Sequence, residues 1–349
     1  MSELKTNQIS TNDGNNVAID DALGLKSYTT TQRDALTSVA GDLIYNSTDN
    51  KVQFHNGSSW QDFAASYVEI NALIIGGGGG MRNDAQGGGG GGAGDFVTDT
   101  VVTLKNTNYT FTVGAGGTSS GTNGSTSSLH LTSAVGGGRG GKGINSASSG
   151  SQMNGASGAS GGGGASSNTN VGSSSGGSAT GVNGNSGGAG ISNSNSSYRV
   201  GGGGGGAGSA GSNASGTTAG NGGAGLTTTL ITAAQATTYS VGEVDGSDVY
   251  FSGGGGGGGK ASNGIGGLGG GGNEGQNGTA NTGGGAGGTF SDTTNPSDTN
   301  GGSGVIIAKF PDTFTITVGA GLTSSTVSDP PSGFKIEIFT AGTGNVSFA

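Results

Sequence analysis

Apolar and polar residues alternate in short stretches near the amino end of the chain and predict a small β-sheet. Residues 42–46 and 51–55 alternate on either side of a turn-forming segment, and a second turn at Asn56 precedes Trp60, the only tryptophan. Residues 29–36 fit one or two helical turns capped by a threonine. Two interpretations of Trp60 remain open, a plug of this sheet or a ligand-binding side chain.

Alternation returns near the carboxyl end and predicts a second group of strands. A strand that runs into Gly-Ala-Gly occurs twice, at residues 109–120 and 314–325. Residues 334–339 place three apolar side chains on one face and Lys335 and Glu337 on the other. We expect these strands to form a β-layer that caps the middle of the chain. Residues 73–75 and 305–307 are the apolar segments that would join it.

The middle of the chain has neither helical nor strand periodicity, because glycine dominates it. The chain contains 86 glycines, and only four of them precede residue 76. A flexible glycine-serine linker is one interpretation. The other is a folded unit, which the apolar segments at both of its ends favour. Uninterrupted glycine runs occur at residues 76–80, 87–92, 201–206, 253–259 and 269–272, among others.

The folded alternative is a bundle of polyglycine II helices. This extended helix has three residues per turn and no internal hydrogen bonds, so each peptide group needs a partner on a neighbouring helix or in water. Interior helices then require glycine on all three faces, as in residues 253–259, whereas outer helices need it on fewer, as in residues 155–161. Collagen is excluded, since the four prolines are few and the glycine spacing is irregular.

Composition narrows the function classes further. The net charge of −9, with lysine and arginine scattered singly, argues against nucleic-acid binding. No apolar run approaches the roughly 20 residues that cross a bilayer, so we expect no membrane insertion. The amino end lacks the pattern of a secretory signal, and cysteine is absent.

Candidate chemistry is sparse, and we predict that the protein is not an enzyme and carries no metal or cofactor. His55 and His130 lie far apart in the chain without neighbouring carboxylates. Two glycine runs followed by Lys142 and Lys260 imitate a phosphate-binding loop. Neither run has the serine or threonine that must follow the lysine.

The predicted fold class is mainly β and irregular, with little α-helix: an N-terminal extended segment and small β-hairpin module, a polyglycine II helix bundle and a β-strand cap. Four regions are predicted. They are an extended attachment segment (1–28), a small helix with a β-hairpin (29–66), the glycine-rich polyglycine II domain with flanking strands (67–308) and a C-terminal strand segment packing on that domain (309–349).

Residues 29–66 resemble a small module of tailed-phage fibre proteins that is common in phages of marine cyanobacteria. The matching motifs are Thr-Gln-Arg-Asp-Ala-Leu at 31–36, Gly-Asp-Leu-Ile-Tyr-Asn at 41–46, Lys-Val-Gln-Phe at 51–54 and Asn-Gly-Ser-Ser-Trp at 56–60. The resemblance implies attachment to the virion through the N-terminal part, a homotrimer, and a distal part that meets the host.

The glycine-rich region resembles a domain found in phage fibres, adhesins and some bacterial surface proteins. Its opening strand and glycine run match residues 72–80, a second signature matches residues 109–117, and its closing strand matches residues 301–308. In phage adhesins of this type the polyglycine helices form the tip, and the loops between them touch the receptor. Here a further strand-rich segment follows the closing strand.

Receptor contacts are expected in the longer loops between glycine runs, because recognition concentrates in loops on a rigid scaffold. Tyrosine and arginine are favoured in such surfaces. Residues 192–200, 227–251 and 290–300 are three such segments, and the last carries Asp292 and Asp298. An alternative for Tyr250 and Phe251 is that they anchor their loop. The candidate receptor-binding residues are Tyr198, Arg199, Tyr239, Asp245, Tyr250 and Phe251.

The preferred functional hypothesis is a phage tail fibre or adhesin, made in the host cytoplasm and located in the virion. Its expected partners are further copies of itself, other virion proteins at the N-terminal segment, and a bacterial surface polysaccharide or outer-membrane protein. A passive virion spacer or decoration protein is the first alternative. An ice-binding glycine bundle is the second.

Overall fold

A computed structural model describes residues 24–63, 67–81, 86–144, 151–169, 172–290 and 299–349. The chain separates into two compact units, Met1–Ser66 and Tyr67–Ala349. The extended attachment segment predicted at residues 1–28 lies outside the described residues up to residue 23. The described part is mostly β-strand and irregular backbone with little helix, so the predicted fold class is confirmed.

The first unit is a four-stranded sheet with one short helix. The helix begins after Thr29, whose side chain accepts from the Gln32 amide while the Gln32 side chain accepts from the Thr29 amide. Such a reciprocal cap satisfies two amides that the first helical turn leaves unpaired. The sheet has the strand order β1-β2-β3-β4. Its elements are β1 (Ser27–Tyr28), α1 (Thr30–Asp34), β2 (Leu43–Asn46), β3 (Lys51–His55) and β4 (Trp60–Asp62).

The second unit combines a large sheet with the glycine-rich region and a small inserted sheet. Its strands up to the end of the long insertion are β5 (Tyr67–Ile75), β6 (Phe96–Leu104), β7 (Tyr109–Val113), β8 (Ser127–Leu129), β9 (Thr132–Ala134), β10 (Ser173–Ser174), β11 (Gly190–Ile191), β12 (Leu226–Thr228), β13 (Glu243–Asp245) and β14 (Asp248–Phe251). The remaining elements are α2 (Ala233–Tyr239), a 3-10 helix (Ser196–Tyr198), β15 (Val305–Pro311), β16 (Ile316–Val318), β17 (Leu322–Thr326) and β18 (Phe334–Phe348).

A nine-stranded antiparallel sheet organises the second unit. Its main path is β6-β5-β15-β18-β7-β8-β9, and β16 and β17 pair with the long strand β18. The Thr132 hydroxyl on β9 donates to the Asp99 carboxylate on β6, so the two ends of the path meet and the sheet is nearly closed. Both Gly-Ala-Gly strands, β7 and β16, pair with β18.

Alternation along the strands divides the apolar side chains between two cores. On β5, Ile70 and Ile74 enter the inner core, which lies within the sheet, whereas Leu73 and Ile75 enter an outer core. Residues 226–251 cover the outer face and bury Phe251 there. Glu337 is also buried, because β17 covers it and its carboxylate accepts from the hydroxyls of Ser324 and Thr326. The sequence pattern had placed Glu337 on a polar face.

The glycine runs form straight rods that hydrogen-bond to one another with a period of three residues. We call residues 87–95 the central rod. The amides of Gly88, Gly91 and Gly94 donate to Thr289, Ala286 and Gly283 on one neighbour, at 2.7–2.9 Å. The amides of the residues that follow each of them, 89, 92 and 95, donate to a second neighbour, and those of Gly90 and Ala93 to a third. Three neighbours in rotation are what a helix of three residues per turn requires.

The carbonyl groups of the central rod bind three further neighbours. Gly88 and Gly91 accept from Gly258 and Gly255, and other residues of the rod accept from two more runs with the same period. The rod is therefore surrounded on six sides, as in polyglycine II, and glycine is needed because a Cβ on Gly91 would lie 2.1 Å from the Gly79 oxygen. The six neighbours are residues 76–79, 135–141, 160–166, 202–205, 255–258 and 283–289.

The distinction between interior and outer rods holds in part. Residues 253–259 are fully buried, as predicted for an interior rod. In the predicted outer rod Ser157 is exposed and Gly158 is buried, as expected, but Ala159 and Ser160 are also buried. Small side chains of this size therefore fit between rods where the neighbouring backbone leaves room.

A buried carboxylate closes the junction between the central rod and β6. Asp95 is only 1% exposed, and its oxygens accept from the amides of Phe96, Val182 and Asn183 at 2.9–3.1 Å. These bonds give hydrogen-bond acceptors to amides at the point where the rod pattern stops and the sheet begins.

The helix α2 was not expected from the sequence, although Thr232 and Gln235 form the same reciprocal cap as Thr29 and Gln32.

Candidate binding surface

The rods have two chemically different ends. One end continues into the nine-stranded sheet, which the chain enters at Tyr67 on β5. At the opposite end, which we call the far end, the described connections at residues 192–200 and 260–263 are richer in side chains than the rods they join. Isolated β-bridges tie this end together, among them Met81 to Thr299, Ile144 to Ser167 and Val200 to Gly259. The central rod of nine residues separates the ends by roughly 25 Å.

The six candidate receptor residues fall into two groups at opposite ends of the rods. Tyr198 and Arg199 lie at the far end, in the loop that precedes the rod starting at residue 201. Tyr239, Asp245, Tyr250 and Phe251 lie on the insertion that packs on the sheet. Since the insertion and the far end are separated by a rod length, the six residues do not form one site.

Tyr198 is the most accessible aromatic side chain of the candidate set, at 42% exposure. The neighbouring Arg199 is held by the protein itself. Its guanidinium donates to the carbonyl oxygens of Asn193 and Ser194 and to the side-chain oxygen of Gln86, at 2.7–2.9 Å. Because the planar guanidinium makes three hydrogen bonds in a fixed geometry, Arg199 holds the loop in place. The same loop carries the exposed Tyr198.

Phe251 is fully buried in the outer core, so its prediction as a receptor contact is wrong and the anchoring alternative applies. Tyr239 packs against the same core, and its hydroxyl donates to the Thr326 carbonyl and accepts from the Ser328 amide. These contacts join α2 to the sheet. Tyr239 is thus engaged in packing, because its ring contacts the outer core and its hydroxyl is bonded to the last residue of β17 and to Ser328 beyond it.

Asp245 and Tyr250 lie on the β13–β14 hairpin. Asp245 is exposed beside the turn, opposite Asp248, and Tyr250 is half-buried between Thr227 and Glu243. The Glu243 carboxylate reaches the adjoining rod corner and accepts from the amides of Gly269 and Gly270 at 2.7 Å each. Both glycines have positive φ, 102° and 86°, which leaves their amides pointing at one acceptor.

Asp292 and Asp298, which the sequence singled out in the third long loop, lie outside the described residues. Near that loop, burial raises the pKa of Glu274 to about 7, an effect that hydrogen bonds from the amides of Gly259 and Phe290 oppose. The Glu274 oxygen accepts from Gly259 at 3.2 Å. This carboxyl therefore titrates near neutral pH at the far end of the rods.

A cleft of about 210 Å³ opens on the flank of the rod formed by residues 135–143. Its lining includes two cationic side chains, of which Lys142 also follows one of the glycine runs that imitate a phosphate-binding loop. The three-residue period could have revealed the pair, because residues 139 and 142 share one face of a threefold helix. The residues lining the cleft are Ser120, Gly121, Arg139, Lys142 and Gln152.

Two other clefts are present in the described residues, one in each unit. One of about 580 Å³ lies between the outer face of β5 and β6 and the threonine-rich segment 227–230. The other, of about 400 Å³, lies in the first unit and is lined by Trp60 and Arg33, among others. Trp60 is half-buried, and its ring stacks edge-on against His55 at 5.2 Å. The Arg33 guanidinium is already bound to Asp34 and Gln53.

Within the described residues, no three histidine or acidic side chains converge in a way that would hold a metal ion. Neither helix in that part of the chain has the length and apolar character needed to cross a bilayer.

The glycine-rich domain family matches residues 55–311, which is well over half of the chain. The match begins at the last residue of β3 and ends with the last residue of β15, so it contains all the rods and part of the large sheet. Neither a curated protein nor a solved structure matches the chain significantly. The threefold hydrogen-bonding of the glycine runs and this match agree, and the chain belongs to the glycine-rich domain family.

Proposed function

We propose that this protein is a tail-fibre or adhesin-like virion protein of a tailed phage, and that its glycine-rich body contacts a receptor on the host cell without catalysis. The observation that carries the proposal is the far end of the rods. There a rigid bundle presents loops with exposed side chains at the end opposite to the one where the chain enters at Tyr67. Binding residues on loops held by a rigid scaffold lose little conformational entropy on binding.

The first unit supports the virion part of the proposal. Its helix and strands occupy the motifs that resemble the fibre module of phages that infect marine cyanobacteria. In this proposal the N-terminal segment joins other virion proteins, and three copies of the chain assemble. The receptor is a polysaccharide or an outer-membrane protein of the bacterial surface.

The far-end loop of Tyr198 gives the proposal a specific contact. Tyr198 is exposed, and Arg199 holds the backbone on both sides of the 3-10 helix (Ser196–Tyr198) through three hydrogen bonds. A preorganised tyrosine offers a large amphipathic surface at a small cost in rotamer entropy.

A cell-binding assay tests the proposal. Fluorescently labelled full-length protein is added to a panel of marine cyanobacterial isolates, and bound fluorescence is measured by flow cytometry. We expect saturable binding to some isolates, and we expect unlabelled protein to slow adsorption of a phage that infects those isolates. Folded protein that saturates no isolate and leaves adsorption unchanged would favour the passive spacer.

Two tyrosine variants make the assay specific to the far end. Tyr198→Ala removes the exposed ring at that end, and Tyr250→Ala removes a half-buried ring at the sheet end. Binding lowered about tenfold or more by the first and unchanged by the second supports contact through the far end. Binding lowered by Tyr250→Ala and unchanged by Tyr198→Ala would instead indicate that the receptor contacts the insertion. A native mass of three chains would support the fibre assembly.

A further inference from the structure

Within the rod 135–143, residues 136–143 depart from the all-glycine pattern on one face only. The amides of Gly137 and Gly140 donate to the rod 76–80, and those of Gly138 and Gly141 to the rod 160–163. The third face holds Arg139 and Lys142. Because the helix has three residues per turn, both cationic side chains project to the same side.

That third face is not covered by another glycine rod. The Arg139 amide donates to the side-chain oxygen of Asn123 at 3.0 Å, and the Lys142 amide donates to the Gln152 carbonyl at 2.9 Å. The turn at Ser120 and Gly121 forms the opposite wall of the 210 Å³ cleft. This volume is below the range of about 300–1,000 Å³ typical of pockets for a whole small molecule, so the cleft suits one substituent of a larger ligand.

Arg139 supplies the recognition chemistry. Its side chain is half-buried, and one guanidinium nitrogen donates to the Gly140 carbonyl at 3.2 Å. This single backbone bond orients the guanidinium and leaves its other N–H groups available at the cleft. A planar guanidinium fork binds carboxylates, sulfates and phosphates through two parallel hydrogen bonds, and partial burial strengthens that interaction.

The rod that lines the cleft also packs on a residue that holds the Tyr198 loop. Gly143 packs so closely on Gln86 that a Cβ at residue 143 would lie 2.5 Å from the Gln86 oxygen, and the Gln86 side chain accepts from Arg199. The described acidic side chains of the insertion, Glu243, Asp245 and Asp248, lie at the sheet end. None of these three carboxylates lines the cleft, and the field of an exposed charge is screened over about 8 Å at physiological ionic strength.

We infer that this cleft binds the acidic group of an anionic polysaccharide, with Arg139 as the residue that holds the anion and Ser120, Lys142 and Gln152 lining the sugar. The inference deepens the proposed function by giving its receptor a chemical class. Uronic-acid sugars and sulfated sugars share this chemistry, and the experiment separates them.

Isothermal titration calorimetry with defined oligosaccharides tests the inference on the full-length protein. The probes are a tetragalacturonate, a sulfated tetrasaccharide and the neutral maltotetraose. We expect binding of at least one anionic probe, none of maltotetraose, and weaker binding as sodium chloride is raised. Binding of maltotetraose as tight as that of the anionic probes, or of no probe at all, would overturn the assignment.

Arg139→Gln keeps a long polar side chain and removes the charge, and we expect it to lower the affinity for the anionic probe about tenfold or more. Arg139→Lys should give intermediate affinity, because a point charge remains without the fork. Lys105→Gln, which removes a cation from the end of β6, is the matched control and should change nothing. Unchanged affinity in a folded Arg139→Gln variant contradicts the inference, and thermal melting verifies folding.

The same variants separate this inference from the proposed function. Oligosaccharide binding that depends on Arg139, together with no binding to any cell, would retain the cleft and reject the adhesin. Cell binding that Arg139→Gln leaves unchanged, with no oligosaccharide bound, would retain the adhesin and reject the cleft.

Discussion

The amide of Gly255 donates to the carbonyl oxygen of Gly91 at 2.9 Å, and this bond joins two glycine runs that are far apart in the chain. Three residues further along one run and three residues back along the other, Gly258 donates to Gly88 in the same way, so the two runs are antiparallel. The bundle is built from such contacts between backbones, and no side chain separates the two runs. Its stability therefore depends on the absence of Cβ atoms at interior positions.

Gly91→Ala should destabilise the second unit by about 3–5 kcal/mol, because the new methyl group overpacks the bundle and breaks backbone hydrogen bonds. A Cβ there would lie 2.1 Å from the Gly79 oxygen and 2.9 Å from the Ala286 nitrogen, both backbone atoms that have no room to move. Chemical denaturation measures the loss. Gly216→Ala is the control, since its Cβ meets nothing within 4 Å and only its φ of 56° opposes the change. That strain costs about 1–2 kcal/mol, and equal losses in the two variants would refute the packing argument.

Glu243→Gln should lower the free energy of unfolding by about 1–3 kcal/mol. The carboxylate accepts from the amides of Gly269 and Gly270 at 2.7 Å each, and a neutral amide is a weaker acceptor for both. Asp245→Asn on the same hairpin is the control, because Asp245 is exposed and its loss should change stability by less than about 0.5 kcal/mol. Thermal or chemical denaturation of both variants measures the two changes in the free energy of unfolding. A larger decrease for Asp245→Asn than for Glu243→Gln would contradict the prediction.

The stability of the second unit should fall as the pH rises from about 4.5 to about 7. Burial raises the pKa of Glu274 from the ordinary value of 4.5 to about 7 in the folded chain. Between those values the folded state binds more protons than the unfolded state, so the free energy of unfolding decreases with pH and levels off above 7. Denaturation midpoints across this range measure the slope. The Glu274→Gln side chain is neutral at every pH, so this variant should lose the part of the slope that Glu274 contributes. If the slope is unchanged in the variant, another titrating group causes it.

Arg199→Lys should loosen the loop that carries Tyr198 while leaving the rods intact. Lysine cannot reproduce the fork that binds the carbonyls of Asn193 and Ser194 together with Gln86. Hydrogen exchange measured by mass spectrometry should show amides of residues 192–199 exchanging about tenfold faster or more, with the rod amides unchanged. Unchanged exchange in the loop would mean that other contacts hold it.

Much of the local structure could be predicted from the residues themselves. The threonine cap at Thr29 and the hairpin that ends near Trp60 follow from capping and turn chemistry, and both are present. The interior character of residues 253–259 followed from their lack of side chains. The helix α2 was missed because residues 227–251 were interpreted only as a loop between glycine runs, although the cap formed by Thr232 and Gln235 is visible in the sequence.

The candidate site was harder to predict, because exposure depends on what covers a residue. The residues around Phe251 are compatible with either an exposed loop or a buried core. Phe251 is buried because the insertion packs on β5 and β15. Glu337 has the position of a solvent-facing residue in the alternating pattern of its strand. In the structure β17 covers it and provides two hydroxyl donors to its carboxylate. The cleft at Arg139 required knowing which face of its rod lacked a neighbour.

The sequence by itself determined that the peptide groups of the glycine runs must hydrogen-bond to those of other runs. It also determined that strands with alternating side chains flank the glycine-rich region. It left undetermined which runs are neighbours and in which direction they run, since a polyglycine segment has no side chain to specify a partner or a register. The tertiary structure decided both. The large sheet and the buried Asp95 hold the rods at one end, and this arrangement places Tyr198 and Arg139 at or toward the other.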